Sequence, residues 1–193
     1  MRCPAPSLVR TMPPSGDVVP LDDLKAFARI DDNDQDEVLR GLLATAIEKL
    51  EGPAGYIRQC LLTQEWELRL EGFAPTIPLP LPPVRSVASI AYTAPDGSAA
   101  TIAGGDVVVI GLGTKAAVIH PPAGEAWPQH RTGPEAVKVR FSTGYGAAAD
   151  VPSQIRTALM IATVHLFETR DGSGDPFGAC KQMLSRFHRP VFA

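Results

Sequence analysis

The sequence predicts an α+β fold, a small bundle of about four helices with an antiparallel β module inserted between the second and third. Three observations predict it. Apolar residues recur at helical spacing over residues 21–50 and again over 151–167. Between these stretches lie five to seven short alternating or β-branched runs, parted by turn residues. Nineteen prolines among 193 residues, about twice the usual share, exclude one long bundle.

Residues 1–19 hold four prolines and no periodic pattern, and read as a mobile or extended arm. Pro20 then opens a short helix, with Leu21, Leu24, Phe27 and Ala28 on one stripe. Asp22 and Asp23 in its first turn and Arg29 near its end suit the helix dipole. The acidic run Asp31–Glu37 offers side chains to cap the next helix. In that helix Val38, Leu39, Leu42, Leu43, Ala46, Ile47 and Leu50 follow helical spacing until Gly52-Pro53. A last helical turn is expected over Ala54–Arg58.

Thr63–Leu70 alternates as a half-buried strand does. Ile77–Pro83 alternates too, but its prolines cannot donate to a ladder, so it is an edge or an extended connector. Val84–Thr93 and Ser98–Ile102 form a hairpin about the turn Pro95-Asp96-Gly97. Val107–Ile110, Ala116–Ile119 and Val137–Phe141 complete the sheet. Val151-Pro152-Ser153 starts the third helix, whose apolar residues surround it on more than one side. The run Asp171–Pro176 breaks it, and Ala179–Phe187 forms a last amphipathic stretch.

Composition narrows the function. The net charge of −3 disfavours a protein that grips phosphates over its whole surface. Three scattered cysteines (Cys3, Cys60, Cys180) and no CxxC argue against a disulfide framework or a zinc ribbon, and fit free thiols in a reducing compartment. No apolar run reaches the length of a membrane span, and no signal peptide is legible. The expectation is a soluble intracellular product.

No motif yields a catalytic constellation. Gly111-Leu-Gly113-Thr-Lys-Ala116 follows a strand as a dinucleotide turn does. A returning strand and Pro121-Pro122 follow it, where cofactor binding needs a helix. A calcium loop starting at Asp31 would need Gly and Glu where Asp36 and Leu42 stand. His120, His130, His165 and His188 never pair at i+3 or i+4. Ser142 lacks the glycine of a nucleophile elbow. We therefore expect no enzyme, no cofactor and no metal. An enzyme using His165 or His120 stays as a rival.

The ends offer material for partners. Phe177, Lys181, Met183, Leu184, Arg186, Phe187, Arg189 and Phe192 combine apolar, aromatic and basic character, as interfaces do. The competing reading is a mobile C-terminal helix folded back on its own domain. Residues 17–37 carry −6 and the stretch from Asp171 carries +1, a split that suits head-to-tail contact between copies.

Several stretches, in order, resemble tailed-phage head–tail connector (adaptor) proteins. Pro20–Asp31 is similar to the family's opening P-h-x-x-h-K-x-h-h-R-h-D, and the acidic turn leads into Leu42–Glu48 as it does there. Cys60–Trp66 resembles its h-h-T-Q-x-W strand start, and Pro80–Val87 its L-P-x-P-P-h-x-S-V segment. Val139–Gly146 followed by Val151–Arg156 is similar to its strand-to-helix junction, and His165–Arg170 to the end of its third helix. The arm before Pro20 lies outside the pattern, and the tail after Arg170 matches least.

The resemblance, which extends to adaptors of gene transfer agents, implies a structural virion protein made in the bacterial cytoplasm. It implies a homo-oligomeric ring, typically of twelve copies, beneath the portal protein. Such a ring extends a DNA channel without specific DNA binding and docks a neck stopper or tail-terminator protein, with no membrane involved. On this reading residues 1–19 are a flexible arm, 20–60 the N-terminal helices, 61–146 the β module and 147–170 the third core helix. Residues 171–193 are the portal-docking segment, with the eight residues named above as its contacts. The alternative is a non-viral binding or scaffolding module without a ring.

Overall fold

The structure, a computed structural model, describes residues 7–169 and 174–188. The described chain divides into a β unit, residues 7–15 and 63–145, and a helical unit, residues 16–62, 146–169 and 174–188.

The β unit holds eight strands: β1 (Ser7–Met12), β2 (Gln64–Leu70), β3 (Ile77–Leu79), β4 (Val84–Thr93), β5 (Ala99–Ala103), β6 (Val108–Ile110), β7 (Ala117–His120) and β8 (Val137–Thr143). All ladders are antiparallel, in one sheet of order β1-β2-β8-β4-β5 and another of order β3-β7-β6. Period-two alternation gives the large sheet its two faces. In register, Trp66, Leu68, Val139, Phe141 and Ile90 share one face and are buried. Glu65, Glu67, Arg69, Lys138, Arg140 and Ser142 share the other. In the small sheet Ile77, Leu79, Ala117 and Ile119 are buried.

Proline sets one boundary of that sheet. Strand β3 pairs with β7 alone, and Pro78, opposite Val118, lies exposed on this edge, as its missing N–H requires. The glycine pair belongs to the β6–β7 hairpin. Gly111 has φ +84°, and a Cβ there would lie 2.1 Å from the Ala116 carbonyl oxygen. Only glycine fits that turn.

The helical unit contains α1 (Leu21–Ala28), α2 (Asp36–Leu50), α3 (Ser153–Thr169) and α4 (Lys181–Leu184). Helix α2 packs on α3, α1 touches both, and α4 lies on α3. Leu24, Leu39, Leu50, Ile155, Leu159 and Leu184 form its interior. Among the described residues, four helices and antiparallel sheets agree with the predicted α+β class. The element order, with β2–β8 between α2 and α3, is consistent with the predicted insertion. A parallel bridge between Leu62 and Gly146 brings the two ends of that segment together.

Four local expectations need correction. Residues 7–12 of the supposed flexible arm are a strand on β2, with Ser7 opposite Arg69. Their own sequence has no apolar alternation, so the template edge of β2 imposes the conformation. Residues 1–6 lie outside the described residues. The acidic run does not cap α2 with a side chain: Gln35 holds the N-cap position without a side-chain bond. Asn33 and Asp36 instead accept hydrogen bonds from the ammonium of the buried Lys25, which must be paired. Ala54–Arg58 is a series of bends rather than a helical turn. There Tyr56 and Ile57 N–H groups reach back to the Lys49 and Leu50 carbonyls. The amphipathic stretch Ala179–Phe187 is shorter than expected, a 3-10 turn over Gly178–Cys180 followed by the four-residue α4.

Candidate functional site

The two units present different surfaces. In the helical unit the C-terminal segment is anchored by its apolar side chains. Phe177, Cys180, Leu184 and Phe187 are all buried. The buried Gln59 side chain donates to the Phe187 carbonyl, and His188 Nδ1 lies 2.6 Å from the Tyr56 carbonyl oxygen. Asp175 Oδ1 accepts the Phe177 N–H at 3.0 Å, and its Oδ2 pairs with Lys181 Nζ at 2.8 Å. The Lys181 bond and the Phe177 N–H hold the Asp175 carboxyl below the usual range, and Asp175 in turn raises Lys181. Burial pushes the Cys180 thiol up, which makes it a poor nucleophile.

The eight expected contact residues therefore separate into three sets. Phe177, Leu184 and Phe187 lie in the interior of the helical unit. Lys181 and Arg186 are exposed and Met183 is half-exposed, with the Arg186 guanidinium 4.7 Å from the centroid of the Phe187 ring. Arg189 and Phe192 lie outside the described residues. The segment is folded back on its own unit, as in the competing reading, but is anchored there by buried side chains rather than mobile.

In the β unit the charged face of the large sheet is organised by Glu67. Its buried carboxylate accepts from Arg69 Nε at 2.8 Å and from Arg140 Nε at 3.1 Å. Arg69 continues to Glu135 at 2.9 Å, and Glu135 to Lys138 at 3.4 Å. Burial alone would push the Glu67 carboxyl up. The hydrogen bonds from Arg140 and Arg69 outweigh it, so its pKa is held low. The Arg69 bond likewise lowers Glu135. Each cation is matched by an acid, so this face is not a phosphate-binding stripe.

An aromatic cluster joins two loops and a strand of the β unit. Phe73 stacks on Trp127 with centroids 4.6 Å apart and meets Tyr92 and His130 edge-on. The Phe73 N–H donates to His130 Nε2 at 3.2 Å. The sequence reading missed this cluster. Phe73 lies in the β2–β3 loop, Tyr92 on β4, and Trp127 and His130 in the β7–β8 loop, so no common period links them.

Among the described residues no group of three or more His, Cys, Asp or Glu side chains could hold a metal ion. His120 lies on β7, His130 in the aromatic cluster, and His165 within α3 with its buried Nε2 lacking a partner among the described residues. Among the described residues no helix is long and apolar enough to cross a membrane.

The β unit thus offers a charge-matched sheet face, and the helical unit a tethered C-terminal segment. Residues 19–100 match the family described as phage gp6-like head-tail connector protein. That stretch runs from α1 through α2, β2, β3 and β4 into β5. Solved structures give the likeness over the whole chain. One is a chain in the neck of an empty gene transfer agent (GTA) particle computed with C6 symmetry. It is 20% identical, with 97% of each chain covered and a TM-score of 0.78. Another is from the virion of a native GTA particle, 20% identical, covering 96% of this chain and 97% of that one, with a TM-score of 0.76. A third is from the neck of a native GTA particle computed with C12 symmetry, 19% identical, covering 95% and 97%, with a TM-score of 0.63. At these identities the likeness is one of fold. Among curated proteins, no relative matches the chain.

Proposed function

We propose that this chain is a structural head–tail adaptor of a phage or gene transfer agent particle. The observation that carries the reading is the head-tail connector family match at residues 19–100, which spans elements of both units. The fold shared with neck chains over 97% of the length supports it. Copies form a ring, of twelve in the simplest case, under the portal protein. The ring extends the DNA channel and receives a neck stopper or tail-terminator protein. DNA passes without specific binding, which suits a mildly acidic chain with a charge-matched sheet face. The role is mechanical rather than catalytic, and the place of action is the head–tail neck of the particle.

The C-terminal segment is the proposed portal contact, through Lys181, Met183 and Arg186 and the residues beyond His188. Phe177, Leu184 and Phe187 act there by holding the segment on the helical unit. Deleting the gene tests the function. Electron microscopy should then show filled or emptied heads separate from free tails. Normal tailed particles from the deletion strain would overturn the reading.

A further inference from the structure

We propose that neighbouring copies join by pairing the β1 edge of one β unit with the β6 edge of the next. This rests on the ring reading above and names the surfaces that build the ring.

The two sheets have four edges: β1 and β5 in the large one, β3 and β6 in the small one. Pro78 spoils β3 as a template, since it has no N–H to offer. Strand β5 presents only small or half-buried side chains. The other two edges differ. The exposed large hydrophobic residues of the β unit are Val9, Met12, Val108, Ile110 and Leu112, between 37% and 58% exposed. All lie on β1, on β6, or in the turn that follows β6. Isolated chains normally blunt such edges with charge, proline or cover, because an open apolar edge recruits another strand.

The geometry makes each edge a ladder. Strand β1 carries a bulge between Arg10 and Met12. Val9 consequently faces Glu67 and Met12 faces Glu65, which puts both apolar side chains on the same face. Without the bulge they would point to opposite faces. On β6, Val108 pairs with His120 and Ile110 with Val118, again one face. Main-chain hydrogen bonds would join the strands and these side chains would select the register. Charge agrees with the match: exposed Arg10 lies on β1 and exposed Asp106 just before β6. The edges are different, so the contact is heterologous, and repeating it generates a ring where a self-paired edge would give a closed dimer.

The test uses the full chain incubated with the portal protein of the same particle, read by electron microscopy and by sedimentation. The charge swaps R10D and D106R should each lower ring yield by about tenfold or more, and the double swap R10D/D106R should restore most of it. The double swap keeps the test decisive if Arg10, whose guanidinium lies 5.8 Å from the centroid of the Trp66 ring, also matters for folding. In a Cys3→Ser background, V9C protein mixed with I110C or V108C protein should cross-link within assembled rings. Rings at wild-type yield from both single swaps, with no such cross-link, would overturn the edge pairing and leave the adaptor reading intact. Wild-type protein that forms no ring on the portal would overturn both.

Discussion

Glu67 shows how one side chain can organise a sheet face. Its carboxylate is buried yet bonded to two guanidinium groups, and removing it leaves Arg69 and Arg140 facing each other. Glu67→Gln should cost about 1–3 kcal/mol, measured by urea unfolding. The pH dependence has a definite sign. The Glu67 pKa is lower in the folded chain, so its contribution is fully present above the unfolded value of about 4.3. It is lost as pH falls through the lower folded value. Wild-type stability should therefore fall in acid below about pH 4, and the Gln variant should fall less steeply. Gly111 gives a second residue-scale expectation. Gly111→Ala places a Cβ against the Ala116 carbonyl at positive φ and should destabilise by about 1–3 kcal/mol. An unchanged melting temperature would show that the hairpin relaxes freely.

The C-terminal segment decides matters at the scale of elements. Four-residue α4 cannot persist alone, since isolated helices shorter than about 12 residues are marginal in water. It is held by Leu184 and Phe187 in the interior and by Gln59 on the Phe187 carbonyl. Leu184→Ala should cost about 2–5 kcal/mol of stability and expose residues 174–188 to protease before the β unit is cut. Equal cleavage of wild type and variant would show that the segment is not tethered. The elements themselves were largely legible. Leu39, Leu43, Ala46 and Leu50 announce α2 by spacing, and Val84–Thr93 announces β4 by β-branched content. Strand β1 was hidden because Ser7–Met12 carries no alternation and takes its shape from β2. Lys25 bonding to Asn33 and Asp36 was hidden for a related reason: short-range capping rules cannot anticipate a cation arriving from another helix. For the expected contact residues, composition pointed to the aromatic and basic side chains of the C-terminal segment. It could not say that Phe177, Leu184 and Phe187 would turn inward, because burial depends on what the helical unit leaves uncovered.

For the whole molecule, the division into a β unit and a helical unit separates two tasks. The helical unit carries the segment proposed to meet the portal, and the β unit carries the two apolar edges proposed to meet other copies. Sheet order, which made β1 and β6 edges, was beyond sequence reading, since Val107–Ile110 reads the same in an edge as in a centre. The central claim is that the chain docks as a ring on a portal. The most direct measurement is to mix the purified protein with the portal protein of the same particle and image the complexes by electron microscopy. The account predicts an additional ring of density on the portal's outer end, lost when Lys181 and Arg186 are changed to Glu. Bare portals at micromolar protein would contradict it, and the shared fold would then serve some other binding role.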